Sequence, residues 1–221
     1  MTNQGDNRAV RQKPQRAVSD FDDICRILDQ GYVAHVGFFD PEAGEHLVIP
    51  VGYVRDGKRL LFHGQSGSRL FRTLGAGVKV CAAVTLLDGI VIARTPLNSS
   101  MNYQSVMAFG DSYPIEGDEK VKALITISDR LIPGLWDASR ELTAKEIAST
   151  AVIGLNLDDV TAKSRAGGAL DLDETNAEVW AGHLPIEVQF GGLVPNEEAA
   201  DLAGPDYAEN LARTPLRAAS I

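Results

Sequence analysis

Short stretches of alternating apolar and polar residues, separated by turn-forming residues, fill most of this 221-residue chain. A segment near the N-terminus instead has a helical period, with Ser19 placed to cap the helix and Gly31 to end it. The apolar residues of this first helix recur at intervals of three and four: Phe21, Ile24, Cys25 and Leu28. Further helices are predicted over residues 68–74, 118–132 and 143–149.

The period-2 segments predict at least seven strands. They cover residues 32–38, 47–54, 59–63, 78–87, 90–94, 102–115, 150–158 and 184–190. Residues 55–58 and the pair Asp88-Gly89 predict hairpin turns, and Gly110 predicts a bend. Because hairpins join most strands and helices do not alternate regularly with them, the pattern favours a closed antiparallel sheet over a doubly wound parallel one.

Composition and charge set limits on the function. The apolar fraction of 44% is that of a folded protein, and a net charge of −9 argues against a nucleic-acid partner. Residues 1–17 carry four basic residues and one acidic residue, which predicts a flexible basic arm, either solvated or packed on an acidic partner surface. Residues 18–190 form the predicted domain, and residues 191–221 an acidic tail containing Pro and Gly.

No apolar run is long enough to span a membrane, and the N-terminus lacks the apolar core of a signal peptide, so we expect a soluble cytoplasmic protein. Cys25 and Cys81 are predicted as packing residues, and the four histidines lack metal-ligand spacing. The common nucleotide-binding, zinc-protease and serine-hydrolase motifs are absent from the sequence. We therefore predict no metal site, and the sequence singles out no catalytic residue.

The stretch LLFHGQSGSRLFRTLG (60–75) is the strongest candidate for a binding site. It places two glycines and two hydroxyls between a strand and a helix, followed by two arginines. Backbone donors at a helix start, hydroxyls and a guanidinium together suit a phosphate monoester. The candidate ligands in this stretch are His63, Gly64, Ser66, Ser68 and Arg69. An ordinary capped helix after a Gly-rich turn is the alternative.

Three other stretches carry candidate residues. In LVIPVGYV (47–54), Pro50 lacks a donor and Gly52 lacks a side chain, which suits a flat ligand against an edge or simply a bent edge strand. The start of the strand at residue 102 clusters Tyr103, Gln104 and Ser105, either as ligand contacts or as an ordinary polar strand start. Trp180 could cover a planar ligand or serve as a core or interface residue.

Together these stretches resemble the flavin-binding split barrels of the pyridoxamine 5′-phosphate oxidase-like superfamily, in the branch that includes the nitroimidazole-resistance proteins. The resemblance spans about residues 16–190. It rests on YVAHVGF, on VIPVGYV with its hairpin, on LLFHGQSGSR before a short helix, and on MNYQSVMAFG, TAKSR and VWAGHLP. A match to the basic substrate-phosphate site of true pyridoxamine-phosphate oxidases is missing.

The resemblance implies a mainly β, α+β fold: an antiparallel six-stranded split β-barrel with peripheral helices, forming a homodimer with FMN between protomers. The ring would lie beside Ile49, Pro50, Val51, Gly52 and Tyr53, with backbone N–H groups of residues 51–53 as donors. The ribityl chain and phosphate would be held by His63, Gly64, Ser66, Ser68 and Arg69. Further contacts would come from Tyr103, Gln104 and Ser105, and Trp180 would come from the partner. The implied function is an FMN-dependent oxidoreductase passing electrons from NAD(P)H to a small acceptor.

Three alternatives stay open at this stage. The protein could store flavin without turnover, or it could be a structural dimer with an empty site. It could also be a haem-binding relative on the same barrel, in which case His35, His63 or His183 would matter as ligands.

Overall fold

The computed structural model describes residues 8–170 and 178–217. The strands of this part of the chain are β1 (Ala17–Val18), β2 (Val33–Asp40), β3 (Glu45–Asp56), β4 (Arg59–Gln65), β5 (Lys79–Ile92), β6 (Ser100–Asp111), β7 (Tyr113–Pro114), β8 (Thr150–Asn156), β9 (Val160–Arg165), β10 (Gly182–Pro185), β11 (Val188–Gln189) and β12 (Pro215–Arg217). Its helices are α1 (Phe21–Gln30), α2 (Arg69–Gly75), α3 (Gly117–Leu131), α4 (Leu135–Ala138), α5 (Ala144–Ser149) and α6 (Asp206–Arg213). In this part of the chain no helix is both long and apolar enough to cross a bilayer.

Six antiparallel strands curl into a split barrel in the order β6-β5-β2-β3-β4-β8. After β6 the chain bends at Ser112 and continues as β7, which pairs with β8, so the sheet returns to its starting strand. The buried Ser112 hydroxyl lies 2.7 Å from the carbonyl of Leu74 and 3.1 Å from that of Val78, which holds the bend in place. The predicted split barrel is confirmed, but β1, β9 and β10 extend the sheet beyond six strands.

Two apolar clusters stabilise the barrel. The larger fills its interior with residues of β2 to β6 and β8, and α1 adds Ile24, Ile27 and Leu28. The smaller lies between α3 and the outer side of β3, β4 and β8, where Val54 and Leu61 meet Leu124. The inner residues of each strand are therefore covered by the barrel, whereas α3 covers the outer face of β3, β4 and β8.

The first helix begins one residue later than the sequence predicts. Asp20, not Ser19, is its N-cap, and its carboxylate accepts a hydrogen bond of 3.0 Å from the Asp23 N–H. The two residue types cap helices about equally well, so the sequence alone could not separate them. The end at Gly31 is confirmed.

The predicted hairpin at Asp88-Gly89 is wrong. β5 is one strand of 14 residues, and its pairing with β6 shifts register between Leu87 and Gly89, which makes Asp88 the extra residue of a bulge. The residues of β5 before and after the bulge both pair with β6. The hydrogen-bond ladder between the two strands therefore continues where a hairpin turn would have interrupted it. A Cβ on Gly89 would lie 2.7 Å from the carbonyl oxygen of Leu184 in β10, so the glycine permits close approach of that strand.

Residues near both ends of the described chain make contacts within it, and the flexible basic arm and the acidic tail stay predictions. Arg8 forms an ion pair with Asp159, and the Lys163 ammonium lies 3.2 Å from the carbonyl of Gln12. The sequence pattern predicts no strand at β9, which pairs with β1 and with β6. At the other end, β12 pairs with β11 in a separate two-stranded sheet, and the Phe190 ring contacts that of Tyr32 edge to face. The first seven and last four residues of these predicted segments lie outside the described residues.

We expect Tyr53→Phe to lower the free energy of unfolding by about 0.5–1.5 kcal/mol, the net contribution of one hydrogen bond. The buried Tyr53 hydroxyl donates to the carbonyl of Leu28 over 2.6 Å and ties α1 to β3, and burial raises the pKa of this phenol. Urea unfolding at pH 7 measures the loss. Because Leu28 also accepts from the Gly31 N–H, a larger loss would show that the hydroxyl does more than close this contact.

Candidate functional site

The barrel splits between β3 and β4. Residues of β3 up to Gly52 pair with β2, and from Tyr53 onward they pair with β4, starting opposite Phe62. β4 continues past that point to Gln65 with β8 as its partner. The two strands therefore separate, and the candidate stretches at residues 49–52 and 63–65 lie on opposite sides of one cleft.

The outer wall of β3 at this cleft is almost bare backbone. Ile49, Val51 and Tyr53 point into the barrel, whereas Pro50 and Gly52 are exposed on the outer face beside Val48. A Cβ on Gly52 would meet nothing closer than the carbonyl of Tyr32 at 3.9 Å. This surface can accept a flat, largely apolar group against the backbone.

Only some backbone donors face the cleft. The Tyr53 N–H donates to the carbonyl of Tyr32 over 3.1 Å, away from the cleft. Since N–H directions alternate along a strand, that of Val51 points the same way and that of Gly52 points into the cleft. Of the three donors considered from sequence, Gly52 alone has the required direction. Pro50 lies on the same side as Gly52, so its missing N–H costs no bond to β2.

Several residues between the end of β4 and α2 have structural roles in capping, packing or backbone hydrogen bonding. The predicted cap is confirmed, since the Ser68 hydroxyl accepts from the Phe71 N–H over 3.4 Å. A Cβ on Gly64 would lie 2.2 Å from the Phe71 ring, so this glycine is needed to seat α2. The Ser66 N–H donates to the carbonyl of Ser149 over 2.9 Å. His63 stands at the exposed end of β4, and loss of surrounding water lowers the pKa of its imidazole.

The two arginines of α2 already have acidic partners. The Arg69 Nε donates to Asp40, whose side chain is fully buried, and its Nη2 is 3.7 Å from Glu45. Arg72 donates to the carbonyl of Gly67 over 2.8 Å and lies 3.4 Å from Glu42. A phosphate at this loop would therefore share Arg69 with two carboxylates.

Asp40 is held ionised against its burial. Burial alone would raise the pKa of this carboxyl, but hydrogen bonds from Arg69 and from the N–H groups of Glu42 and Ala43 outweigh it, and the net direction is down. The Glu42 N–H lies 2.8 Å from the carboxylate. The start of α2 is thus fixed to the β2–β3 turn through a buried charge.

The candidates on β6 divide between two faces. Tyr103 and Ser105 are half-buried on the outer face, next to the exposed side chains of Met101 and Met107. Gln104 faces the other way, and its amide nitrogen lies 3.0 Å from Asp88 at the β5 bulge. The three residues do not form one contact set.

Trp180 lies far from the cleft within one chain. It is 65% exposed and precedes β10, whose Gly182 pairs with Ile92 at the end of β5. Across the sheet, Pro50 at the cleft pairs with His35 of β2, and His35 pairs with Ala83 of β5. Ala83 lies nine residues before Ile92 on that strand. At about 3.3 Å per residue, the separation along β5 is roughly 30 Å.

His35 was considered from the sequence only as a possible haem ligand. It is exposed on β2 in direct register with Pro50, so it stands beside the cleft. Strand alternation of 32–38 and 47–54 could have suggested a shared face, but the pairing register was not readable from the sequence. The described residues hold no group of three or more metal-ligating side chains, and burial raises the pKa of the Cys25 and Cys81 thiols.

A curled antiparallel barrel, open between two strands beside a bare backbone wall, defines a split-barrel protein. The family model described as pyridoxamine 5′-phosphate oxidase matches residues 20–164. The chain belongs to this pyridoxamine 5′-phosphate oxidase-like family.

Solved structures extend the likeness beyond the barrel. The FAD and haem binding protein of Mycobacterium smegmatis is 31% identical with a TM-score of 0.86, over 92% of this chain and 100% of that one. The flavocytochrome Anf3 of Azotobacter vinelandii is 35% identical with a TM-score of 0.83, over 91% and 94%. A nitroimidazole antibiotic resistance protein of Bacteroides thetaiotaomicron shares the fold at 22% identity and a TM-score of 0.56, over 66% and 85%. No curated protein sequence matches the chain.

Proposed function

We propose that this protein binds a flavin, FMN, in the cleft between β3 and β4 and passes electrons from NAD(P)H to a small acceptor. The observation that carries the proposal is the bare wall at Pro50 and Gly52, where a ring can lie against backbone with no side chain in its way. Family membership and two relatives named for FAD with haem or as a flavocytochrome support a flavin.

The chain's own residues supply position and polarity. A bound flavin supplies the redox chemistry, while the protein orients the ring and sets the electrostatics around it. The Gly52 N–H is placed to donate to a carbonyl or nitrogen at the ring edge, and Ser66 and Ser68 lie in the loop where a phosphate would be held. His35 and His63 flank the cleft as polar neighbours.

The site as proposed is completed by a second copy of the chain. Trp180 is too far from the cleft of its own protomer to cover a ring there. The outer sheet face carries exposed apolar side chains that a partner would bury: Val48, Ile90, Ile92, Met101, Met107 and Leu184. We expect a homodimer by light scattering after size exclusion.

The test of the function begins with the purified protein. We expect a yellow protein whose cofactor, released by heat, co-elutes with FMN on chromatography, and steady NAD(P)H oxidation once a quinone or nitro compound is added. Release of FAD in place of FMN would change the identity of the flavin but would leave the proposed binding site unchanged. A colourless protein that does not bind added FMN or FAD would refute the proposal, and bound flavin without NAD(P)H oxidation would leave a storage protein.

We expect Gly52→Leu to weaken flavin binding about tenfold or more, because the new side chain occupies the bare wall. Gly52→Ala is the matched control and should change binding far less. Both variants should unfold at the wild-type urea concentration, since no atom other than the Tyr32 carbonyl lies near the new Cβ. Fluorescence titration with FMN measures the difference, and equal affinity of the leucine variant would place the flavin elsewhere.

Haem is the second candidate ligand, favoured by the names of the two relatives that cover more than nine-tenths of this chain. His35 and His63 are exposed on strands at the cleft, and His183 lies on β10. A Soret band in the purified protein, lost in one histidine variant, would support haem. Its absence after haem reconstitution would exclude this second candidate.

A further inference from the structure

A cavity of about 330 Å³ lies away from the cleft, between the N-terminal segment, the loop after β5 and the end of β9. Three basic side chains line it, together with polar residues of the loop and of the start of β6: Lys13, Arg16, Arg165, Asn98, Ser99 and Ser100. The described residues that line it include no carboxylate. A basic cavity of this kind stands out in a protein with a net charge of −9.

Arg165 is the buried floor of this cavity. It is only 7% exposed, and its Nη groups donate to neutral oxygens: the amide of Asn102 and the carbonyls of Gly167 and Gly168. Its Nε is buried without a hydrogen-bond partner among the described residues. Within that part of the chain Arg165 has no ion pair, so a buried charge lacks the counterion that burial ordinarily requires.

Arg16 and Arg165 carry charges of the same sign close to each other, and these charges repel. Burial lowers the pKa of the Arg165 guanidinium, and the nearby charge of Arg16 lowers it further. The N-terminal segment is nevertheless fixed in this place, because Ala17 pairs with Lys163 and the Gln12 carbonyl accepts from the Lys163 ammonium. Lys13 holds a left-handed backbone with φ of 56° just before Arg16. An anion between these side chains would relieve their repulsion.

We propose that this cavity is an anion site that takes a phosphate or diphosphate group through Lys13, Arg16 and Arg165. Guanidinium groups match phosphate oxygens through paired N–H donors, and a cavity of this volume is at the small end of ligand sites. The site is formed by different strands from the cleft and does not rest on the proposed flavin function. Inorganic diphosphate and the diphosphate of a nucleotide share the same chemistry, so the experiment separates them.

The experiment is calorimetric titration of the full chain with inorganic pyrophosphate and, separately, with ADP at low salt. We expect one site per chain, with Kd raised about tenfold by Arg16→Gln and by Lys13→Asn. Asparagine tolerates the left-handed backbone at position 13, so that variant removes charge without adding strain. Tighter binding of ADP than of pyrophosphate would assign the site to a nucleotide, and similar binding to the free anion.

The matched control is Lys145→Gln, an exposed lysine on α5, which should leave both Kd values unchanged. Arg165 itself is left intact because a variant of a buried residue can fail to fold. Absence of binding in the wild type, or equal weakening by the control, would overturn the proposal.

Discussion

Replacement of Arg69 by methionine will destabilise the protein at neutral pH, and the deficit will shrink as the pH falls. Arg69 is the side-chain partner of Asp40, whose carboxylate is fully buried. Removing the guanidinium leaves that charge with only the N–H groups of Glu42 and Ala43. A buried carboxylate that loses its ion-pair partner costs more than a surface ion pair contributes.

The pH dependence follows from the lowered pKa of Asp40 in the folded wild type. A carboxyl with a depressed folded pKa contributes stability above its unfolded value, about 3.9, and loses it as the pH falls through the folded value. The wild-type advantage should therefore be complete at pH 7 and should shrink as the pH falls below about 4. Urea unfolding across this range measures it.

Arg72→Met on the same helix is the matched control, because Arg72 pairs with Glu42 and both side chains are largely exposed. That variant should show almost no change at any pH. If Arg69→Met also kept wild-type stability yet lost FMN affinity, Arg69 would be available for a phosphate in solution, as the sequence predicts, and its pairing with Asp40 would be unimportant.

Gly64→Ala should lower the free energy of unfolding by about 1–3 kcal/mol, the usual cost of overpacking a filled interior. The new Cβ would lie 2.2 Å from Cε2 and 2.8 Å from Cζ of Phe71, a residue in the barrel core. Gly67→Ala, three residues further along the chain, is the control, because nothing lies within 4 Å of its Cβ position. Urea unfolding at neutral pH compares the two.

A second substitution separates packing from ligand binding at Gly64. Phe71→Leu in the Gly64→Ala background should recover part of the lost stability, because the clashing ring is gone. If flavin affinity returns with stability, Gly64 serves packing alone. If stability returns and affinity does not, the glycine also allows the flavin to approach the backbone. No recovery of stability would show that the strain does not come from Phe71.

Local pattern was sufficient for most elements of the barrel. Strand alternation located β2, β3 and β4, and helical periodicity located α1 and α3, since these signals lie within a few residues of one another. The hairpin prediction at Asp88-Gly89 was wrong because this dipeptide occurs both in hairpin turns and in bulges. Only the pairing with the neighbouring strand distinguishes the two. β9 was missed because its charged residues hide the alternation that burial against β6 imposes.

The candidate site was predictable as a set of segments and not as a geometry. The register of β3 against β4 places residues 49–52 across from residues 63–65, which agrees with the grouping made from sequence. The partners of Arg69, the inward direction of Gln104 and the distance of Trp180 depend on contacts between residues far apart in the chain. No pattern among neighbouring residues in the sequence indicates such contacts.

The pairing of β4 with β8 has a consequence for how the chain is made. β4 ends at Gln65, whereas its partner begins at Thr150, so most of the domain must be synthesised before the barrel can close. Until then β4 has an open edge, and the inner face that holds Phe62 and Leu60 is incompletely covered. Truncation before β8 should therefore produce an aggregating fragment, not a smaller barrel, and premature release from the ribosome would expose the same edge.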